Sequence, residues 1–264
     1  MSTGKKIIFV SFILIFIGIA GSIFSFNQLD SKAYSAEKTL DEPFINLSMD
    51  LNNDSIELLP TEDSVTRVEM QGLDSENPDD EVMMEVRDNT LFIESAESPQ
   101  VFNIGLFSEE AKLTVYLPES TYESVVMKTD NGNLHASRLN VESMKADTNN
   151  GDVRLKDMTG SRTEVTADNG NVEMAEVQGD ISGTLNNGDI TLSTNAIEHP
   201  MDLETDNGNI EISTETKPAN ADFAIKTDNG TARLFGKDNS NEVFGEGEIP
   251  VTLRSNNGDI TVDH

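Results

Sequence analysis

Thr129-Asp130-Asn131-Gly132-Asn133-Leu134 is the stretch that decides the fold, because it keeps returning. It comes back as Thr148-Asn149-Asn150-Gly151-Asp152-Val153, Ala167-Asp168-Asn169-Gly170-Asn171-Val172 and Leu185-Asn186-Asn187-Gly188-Asp189-Ile190. Thr205-Asp206-Asn207-Gly208-Asn209-Ile210, Thr227-Asp228-Asn229-Gly230-Thr231-Ala232 and Ser255-Asn256-Asn257-Gly258-Asp259-Ile260 complete the set. Successive glycines are 19, 19, 18, 20, 22 and 28 residues apart. Recurrence at this period marks a repeat architecture in which each unit buries its apolar face only against its neighbours.

Fixed offsets from the glycine carry the pattern outward. Five before it stand Met127, Ala146, Val165, Gly183, Leu203, Ile225 and Leu253. Two after it stand Leu134, Val153, Val172, Ile190, Ile210, Ala232 and Ile260, and four after it Ala136, Leu155, Met174, Leu192, Ile212, Leu234 and Val262. Polar residues fill the places between. Alternation with a period of two on both sides of a turn predicts strand, corner, strand, with one apolar face. No period near 3.6 is present to suggest a helix.

The Asn-Gly pair suits a tight corner that needs positive φ, which Gly adopts freely and Asn tolerates. Asp130, Asp168, Asp206 and Asp228 recur at one place. A ladder of corner acids holding divalent cations weakly is the alternative to plain turn chemistry. Two folds satisfy the alternation. An antiparallel meander would pair the two strands beside each glycine. A parallel β-solenoid would make each repeat one coil with Asn-Gly at its corner. The ~19-residue period fits one circuit of short strands. We expect an all-β, right-handed parallel β-helix, the hand following the usual crossover preference.

Leu40 to Pro118 carries further strand-like runs, including Phe44–Met49, Ser55–Leu58, Val65–Met70, Leu91–Ile93 and Lys112–Leu117. Asn52-Asn53-Asp54-Ser55-Ile56 reads as a degenerate repeat with Asp54 in the glycine place. Residues 40–118 are therefore expected to begin the coil stack and cover its first edge, and residues 119–264 to continue it. Val101–Phe107 is read as part of that N-terminal cap. The 28-residue gap between Gly230 and Gly258 must leave the coil as a loop. Its expected role is to cover the last edge. Should it instead bind a partner, Asp238, Asn239, Phe244 and Glu246 are the candidate contacts, with Phe244 as anchor.

Lys5 and Lys6 precede an uncharged run from Ile7 to Phe26. As a helix those residues would span roughly 30 Å, the thickness of a bilayer core. The short basic flank places the N-terminus in the cytoplasm and the body outside. We expect residues 1–26 to be a single-pass anchor and residues 27–39 a polar linker. A cleaved signal peptide ending near Ser31-Lys32-Ala33 is the alternative.

Composition narrows the function classes. The 264 residues include 48 acidic and 18 basic ones, a formal charge of −30. Such a surface repels the phosphate backbone, so no nucleic-acid partner is expected. The absence of Cys removes disulfides and thiolate metal sites. His135, His199 and His264 form no zinc-type spacing, and no nucleophile elbow or phosphate loop occurs. The sequence thus predicts no cofactor and no catalytic residue.

An N-terminal anchor, the run Tyr116-Leu117-Pro118-Glu119-Ser120 and the tandem Asn-Gly units together resemble the bacterial "putative adhesin" family of β-strand-repeat proteins. Within it they are similar to the LiaG-type membrane-anchored members of Gram-positive bacteria. The resemblance covers residues 40 to 264. It implies a β-helix-like extracytoplasmic domain and a binding or accessory role at the cell envelope, linked to envelope stress. A carbohydrate-active enzyme on a β-helix scaffold and a purely structural spacer are the competing expectations.

Overall fold

The computed structural model describes residues 34–73, 82–95, 111–238 and 241–264. The expected anchor over residues 7–26 lies outside them, as do residues 27–33 of the linker, the Val101–Phe107 stretch and Asn239. Among the described residues no helix is long and apolar enough to cross a membrane. The regular structure there is β. In chain order it begins with β1 (Tyr34–Leu40), β2 (Asn46–Leu51), β3 (Ser55–Thr61), β4 (Thr66–Leu73), β5 (Val82–Arg87), β6 (Thr90–Ser95) and β7 (Lys112–Pro118). The repeats supply β8 (Thr121–Asn131), β9 (Leu134–Ser137), β10 (Asn140–Asn150), β11 (Val153–Met158), β12 (Arg162–Asn169), β13 (Val172–Val177), β14 (Asp180–Asn187) and β15 (Ile190–Thr194). There follow β16 (Met201–Asn207), β17 (Ile210–Thr214), β18 (Ala221–Asn229), β19 (Ala232–Leu234), β20 (Lys237–Asp238), β21 (Asn241–Phe244), β22 (Ile249–Asn257) and β23 (Ile260–Asp263).

The strands form two sheets, and each coil places one strand in each. The first sheet runs β1-β4-β7-β3-β9-β11-β13-β15-β17-β23-β19-β20, and the second β21-β18-β22-β16-β14-β12-β10-β8-β2-β6-β5. The two strands beside an Asn-Gly corner lie in different sheets, so the meander is excluded. Each pairs in parallel with its counterpart one coil away, as in Met144↔Val125 and Leu155↔Ala136. Register is exact along the corners: Asn131 faces Asn150, Asn150 faces Asn169, and Asn169 faces Asn187. A one-residue slip would turn every apolar row outward.

Between the sheets lies one continuous core. The rows named from the sequence fill it: Met127, Leu134, Ile190, Ile210 and Leu253 have no measurable exposure. Gly183 interrupts its row because a β-carbon there would stand 3.0 Å from Leu203 Cδ2.

Coil order is not chain order. At one end β2 and β3 sit between the β6/β7 coil and the β8/β9 coil. At the other, the last coil, β22/β23, slots between β16/β17 and β18/β19. The 28-residue gap is thereby explained: the chain leaves β19, forms two short cap strands, and returns one level inward.

Among the described residues antiparallel pairing is confined to the ends. β4 packs on β7 with β1 outside it, and β5 pairs with β6. At the far end β20 pairs with β19, and β21 with β18. These strands cover edges that would otherwise template association. β1 takes residues that read as linker. Of the side chains described there, Ala36, Lys38 and Leu40 turn inward, a weak apolar signal for an edge strand.

Candidate functional site

The strand before each corner ends on the Asn and the next begins two residues after the Gly, so all seven corners are superimposed in the stack. The glycines do not primarily serve backbone freedom. Gly170 and Gly188 have positive φ, at 147° and 145°, whereas the other five corner glycines do not. What all seven share is close stacking. A β-carbon on Gly151 would overlap the carbonyl of Gly132, one on Gly258 that of Gly208, and one on Gly230 that of Gly258. Nor do the corner asparagines adopt the left-handed region. The sequence-based reason for Asn-Gly is therefore corrected: Gly is there for contact with the next coil, and Asn for hydrogen bonding to it.

The asparagines form a ladder. Asn131 Nδ2 donates to Asn53 Oδ1, Asn150 to Asn131, and Asn169 to Asn150, at 2.8, 2.8 and 3.0 Å. Asn187 continues to Asn169, Asn207 to Asn187, Asn257 to Asn207, and Asn229 to Asn257, at 2.9 to 3.0 Å. Beside it, the residue after six of the seven glycines accepts the backbone N–H of the coil above. Asn133 Oδ1 takes Asp152 N at 2.8 Å, Asp152 Oδ1 takes Asn171 N at 3.0 Å, and Asp259 Oδ1 takes Thr231 N at 2.8 Å. These bonds from Thr231 N–H, and then from its hydroxyl, hold the Asp259 carboxyl below its usual range. On the inner side, buried hydroxyls of Thr148, Thr205 and Ser255 donate to the carbonyls of Gly132, Gly188 and Gly208. No buried side-chain polar atom among the described residues is left unpaired.

Charge follows a rule visible only in coil order. Two residues before the corner position, the stack reads Asn52, Asp130, Asn149, Asp168, Asn186, Asp206, Asn256, Asp228. One residue after it, the stack reads Ser55, Asn133, Asp152, Asn171, Asp189, Asn209, Asp259, Thr231. The first row alternates acid and amide throughout, the second does so between its terminal Ser55 and Thr231, and the two rows are out of phase. Asn149 Nδ2 donates to Asp130 Oδ1 at 3.0 Å, Asn186 to Asp168 at 2.8 Å, and Asn256 to Asp206 at 2.7 Å. Acids within a row are two coils, roughly 10 Å, apart. Their repulsion is then largely screened at physiological salt. Within a row the neighbouring coils thus set an amide, not a second acid, beside each acid, and no group of three metal-binding side chains occurs among the described residues.

The outer faces carry ion pairs that also bridge coils. Lys145 reaches Glu164 at 3.0 Å, and Arg254 reaches both Glu204 and Asp202 at 2.8 Å. Glu164 is held below the usual carboxylate range, first by its hydrogen bond from Lys145 and then by that from Arg162. Arg154 bridges Asp152 and Glu173. The three histidines are dispersed. His135 lies on β9, His199 lines a hollow at the opposite corner, and His264 stacks edge-on against Phe235.

The opposite corner is irregular. It runs through residues 138–139, 159–161, 178–179, 195–200 and 215–220 and absorbs the variation in repeat length. Arg138 takes a left-handed φ of 57° there, and Asp157 and Glu176, next to last in β11 and β13, take 52° just before it. Two hollows open along it. One, of about 370 Å³, is lined by Pro60, Pro118, Glu119, Arg138 and Asn140 among others. The other, of about 230 Å³, includes Glu176, Asn195, Glu198 and His199.

The 236–248 segment is tied to the coil stack. Phe244 meets Phe223 and Phe235 edge-on, with ring centroids 5.8 and 5.5 Å away. Glu246 N and Glu248 N both donate to Asn220 Oδ1. Asp238 lies 3.8 Å from Arg233 and is otherwise exposed. Val243, not singled out from the sequence, is the outward apolar side chain of this segment, at 60% exposure.

A family model described as Toastrack DUF4097 matches residues 44–181 and again residues 166–263. No curated protein matches the chain. Among solved structures, a "putative adhesin" from Bacteroides fragilis is similar at 17% identity over 87% of this chain and 97% of its own, with a TM-score of 0.48. A "putative cell adhesion protein" from Clostridium sporogenes is similar at 15% identity over 88% and 99%, with a TM-score of 0.37. A "putative lipid binding protein" from Parabacteroides distasonis is similar at 12% identity over 88% and 97%, with a TM-score of 0.32.

Proposed function

The chain belongs to the Toastrack DUF4097 family, and we propose that this member is a non-catalytic binding or accessory scaffold, tethered by residues 7–26 and displayed outside the membrane. The observation that carries the reading is the corner column. Its repeating Asn, Asp and Thr side chains are engaged with neighbouring coils, so the motif holds the scaffold together. Recognition is then left to the parts that break the repeat: the irregular opposite corner and the two capped ends. The apolar, lightly charged N-terminus and the heavily acidic remainder support the tether and its orientation. Right-handed winding of the coils belongs to the same reading, as does the LiaG-type role in envelope stress.

Fractionation of cells expressing the full chain tests the tether. The chain should sediment with membranes, and removing residues 7–26 should release it. External protease should digest the body in intact cells whose outer envelope has been opened. Binding is tested with isolated cell wall and with vesicles of neutral lipid, each incubated with the 34–264 body. Retention on either supports a binding role. Recovery of the full chain in the cytosol, or turnover of a glycan by the purified body, would overturn the proposal.

A further inference from the structure

Seven Asn-Gly pairs share one local sequence, but the stack treats one of them differently. Asn-Gly is the dipeptide most open to attack by a backbone nitrogen on the asparagine side chain, because glycine places no β-carbon in the way. In six of the pairs both reacting groups are held. The N–H of Gly132, Gly151, Gly170, Gly188, Gly208 and Gly258 donates to the asparagine carbonyl of the next coil, at 2.9 to 3.1 Å. The side-chain amides of Asn131, Asn150, Asn169, Asn187, Asn207 and Asn257 each donate to one neighbour and accept from the other.

Asn229-Gly230 belongs to the outermost full coil, because β22/β23 is inserted inside it. The cap strands cover Ala221–Ala224 and Arg233–Leu234 but not this corner. Among the described residues no acceptor meets the Gly230 N–H, and no donor meets Asn229 Oδ1. Asn229 keeps only its inward bonds, to Asn257 Oδ1 at 3.0 Å and Asn256 O at 3.5 Å. Gly230 is exposed, whereas the other six corner glycines are half-buried.

We propose that Asn229-Gly230 is a spontaneous modification site, at which the folded protein deamidates selectively. The Gly230 backbone nitrogen loses its proton and bonds to Asn229 Cγ. The bond from Cγ to Nδ2 breaks, and ammonia leaves after taking up a proton. The product is a five-membered cyclic imide. Water then adds to either imide carbonyl and opens the ring, giving aspartate or isoaspartate. Overall one water is consumed and one ammonia released, with no oxidant or enzyme required. The acid cannot donate to Asn257 Oδ1, and isoaspartate adds a methylene to the chain at the end of β18. Either product unlatches the outermost corner from the ladder and adds a charge beside Asp228.

The test uses the full chain, incubated at mildly alkaline pH and mapped by peptide mass spectrometry, with a parallel sample in concentrated urea. In urea all seven pairs should react at comparable rates. In the folded chain Asn229 should react roughly tenfold or more ahead of the other six, since two hydrogen bonds that restrain them are missing here. An Asn229→Ser chain should lose the early phase of ammonia release and keep the slow one. Folded-state rates in the same proportions as in urea, another pair reacting first, or an early phase that survives N229S would each overturn the proposal.

Discussion

Each coil turns twice, and the two turns obey different constraints. The Asn-Gly corner has a fixed length, glycine against carbonyl, and three rows of side chains bonded to the coils on either side. The opposite corner varies from two to six residues between strands, with left-handed backbone at Arg138 and, at the strand ends leading into it, at Asp157 and Glu176. The first corner is set by its neighbours in the stack. The second also bonds to its neighbours where it is short, as Val141 N–H does to Thr159 O and Gln178 N–H to Met158 O, but its length changes from coil to coil. A recurring motif therefore marks where coils must match, and variability marks where the chain is free to acquire a surface of its own.

Gly170→Ala breaks this contrast most severely. Its β-carbon would overlap the Gly151 carbonyl, and backbone on both sides prevents retreat. We expect a loss of about 3 kcal/mol, at the upper end for overpacking, read by urea or thermal unfolding. A change below ~0.5 kcal/mol would sink the close-stacking account. Asn169→Ala removes two ladder bonds, to Asn150 and from Asn187. Because the groups are exposed, about 1–2 kcal/mol is expected, with raised hydrogen exchange at coils on both sides.

At the irregular corner Tyr122 donates to Pro118 O at 2.9 Å, and burial pushes its hydroxyl up to about 12. The neutral form is therefore the one favoured by folding. Its contribution is complete below the unfolded value of about 10 and is lost as pH rises toward 12. Alkaline unfolding should be steeper in this window than in Tyr122→Phe, which should cost about 1 kcal/mol at neutral pH. Identical alkaline profiles would exclude this role.

Asn149→Asp would put a carboxylate between Asp130 and Asp168, so that acids occupy successive coils of that row. A loss below ~1 kcal/mol is expected, shrinking with added salt or on acidification. A loss insensitive to both would mean that charge alternation is not the reason for the Asn. Asp157→Gly should show the smallest effect. It relieves a left-handed φ of 52° at an exposed site and should be neutral or stabilising by up to ~1 kcal/mol. A clear loss there would mean that the opposite corner is as constrained as the first.

Much of the coil was legible in single residues. Leu134, Val153, Val172 and Ile190 stand at one offset from Gly and all lie in the core. Asp54 in the glycine place already marked Asn52–Ile56 as a coil corner, and its carbonyl does receive Gly132. The candidate site was less legible. In the sequence Phe244 stands as the anchor should the loop bind a partner, and its packing on Phe223 and Phe235 is not visible, because both lie on other parts of the chain. The roles of Asn133 and Asp152 were also missed, since each bonds to a residue 19 positions away.

The alternation of acid and amide held the missing signal. In chain order the residue two before the glycine runs Asp, Asn, Asp, Asn, Asp, Asp, Asn, with the rule broken at Asp228. Exchanging the last two coils restores it, and that exchange is the one the structure makes. The sequence by itself determined the alternating strands, the buried rows and the period, because these depend on a residue and its near neighbours. Only the tertiary structure decided which coil lies against which, and hence which Asn-Gly pair is left at the outer end. Every coil offers the same apolar rows and the same backbone donors and acceptors, so local sequence leaves their order degenerate. Contacts between side chains of stacked coils lift that degeneracy, and those contacts exist only once the coils are assembled.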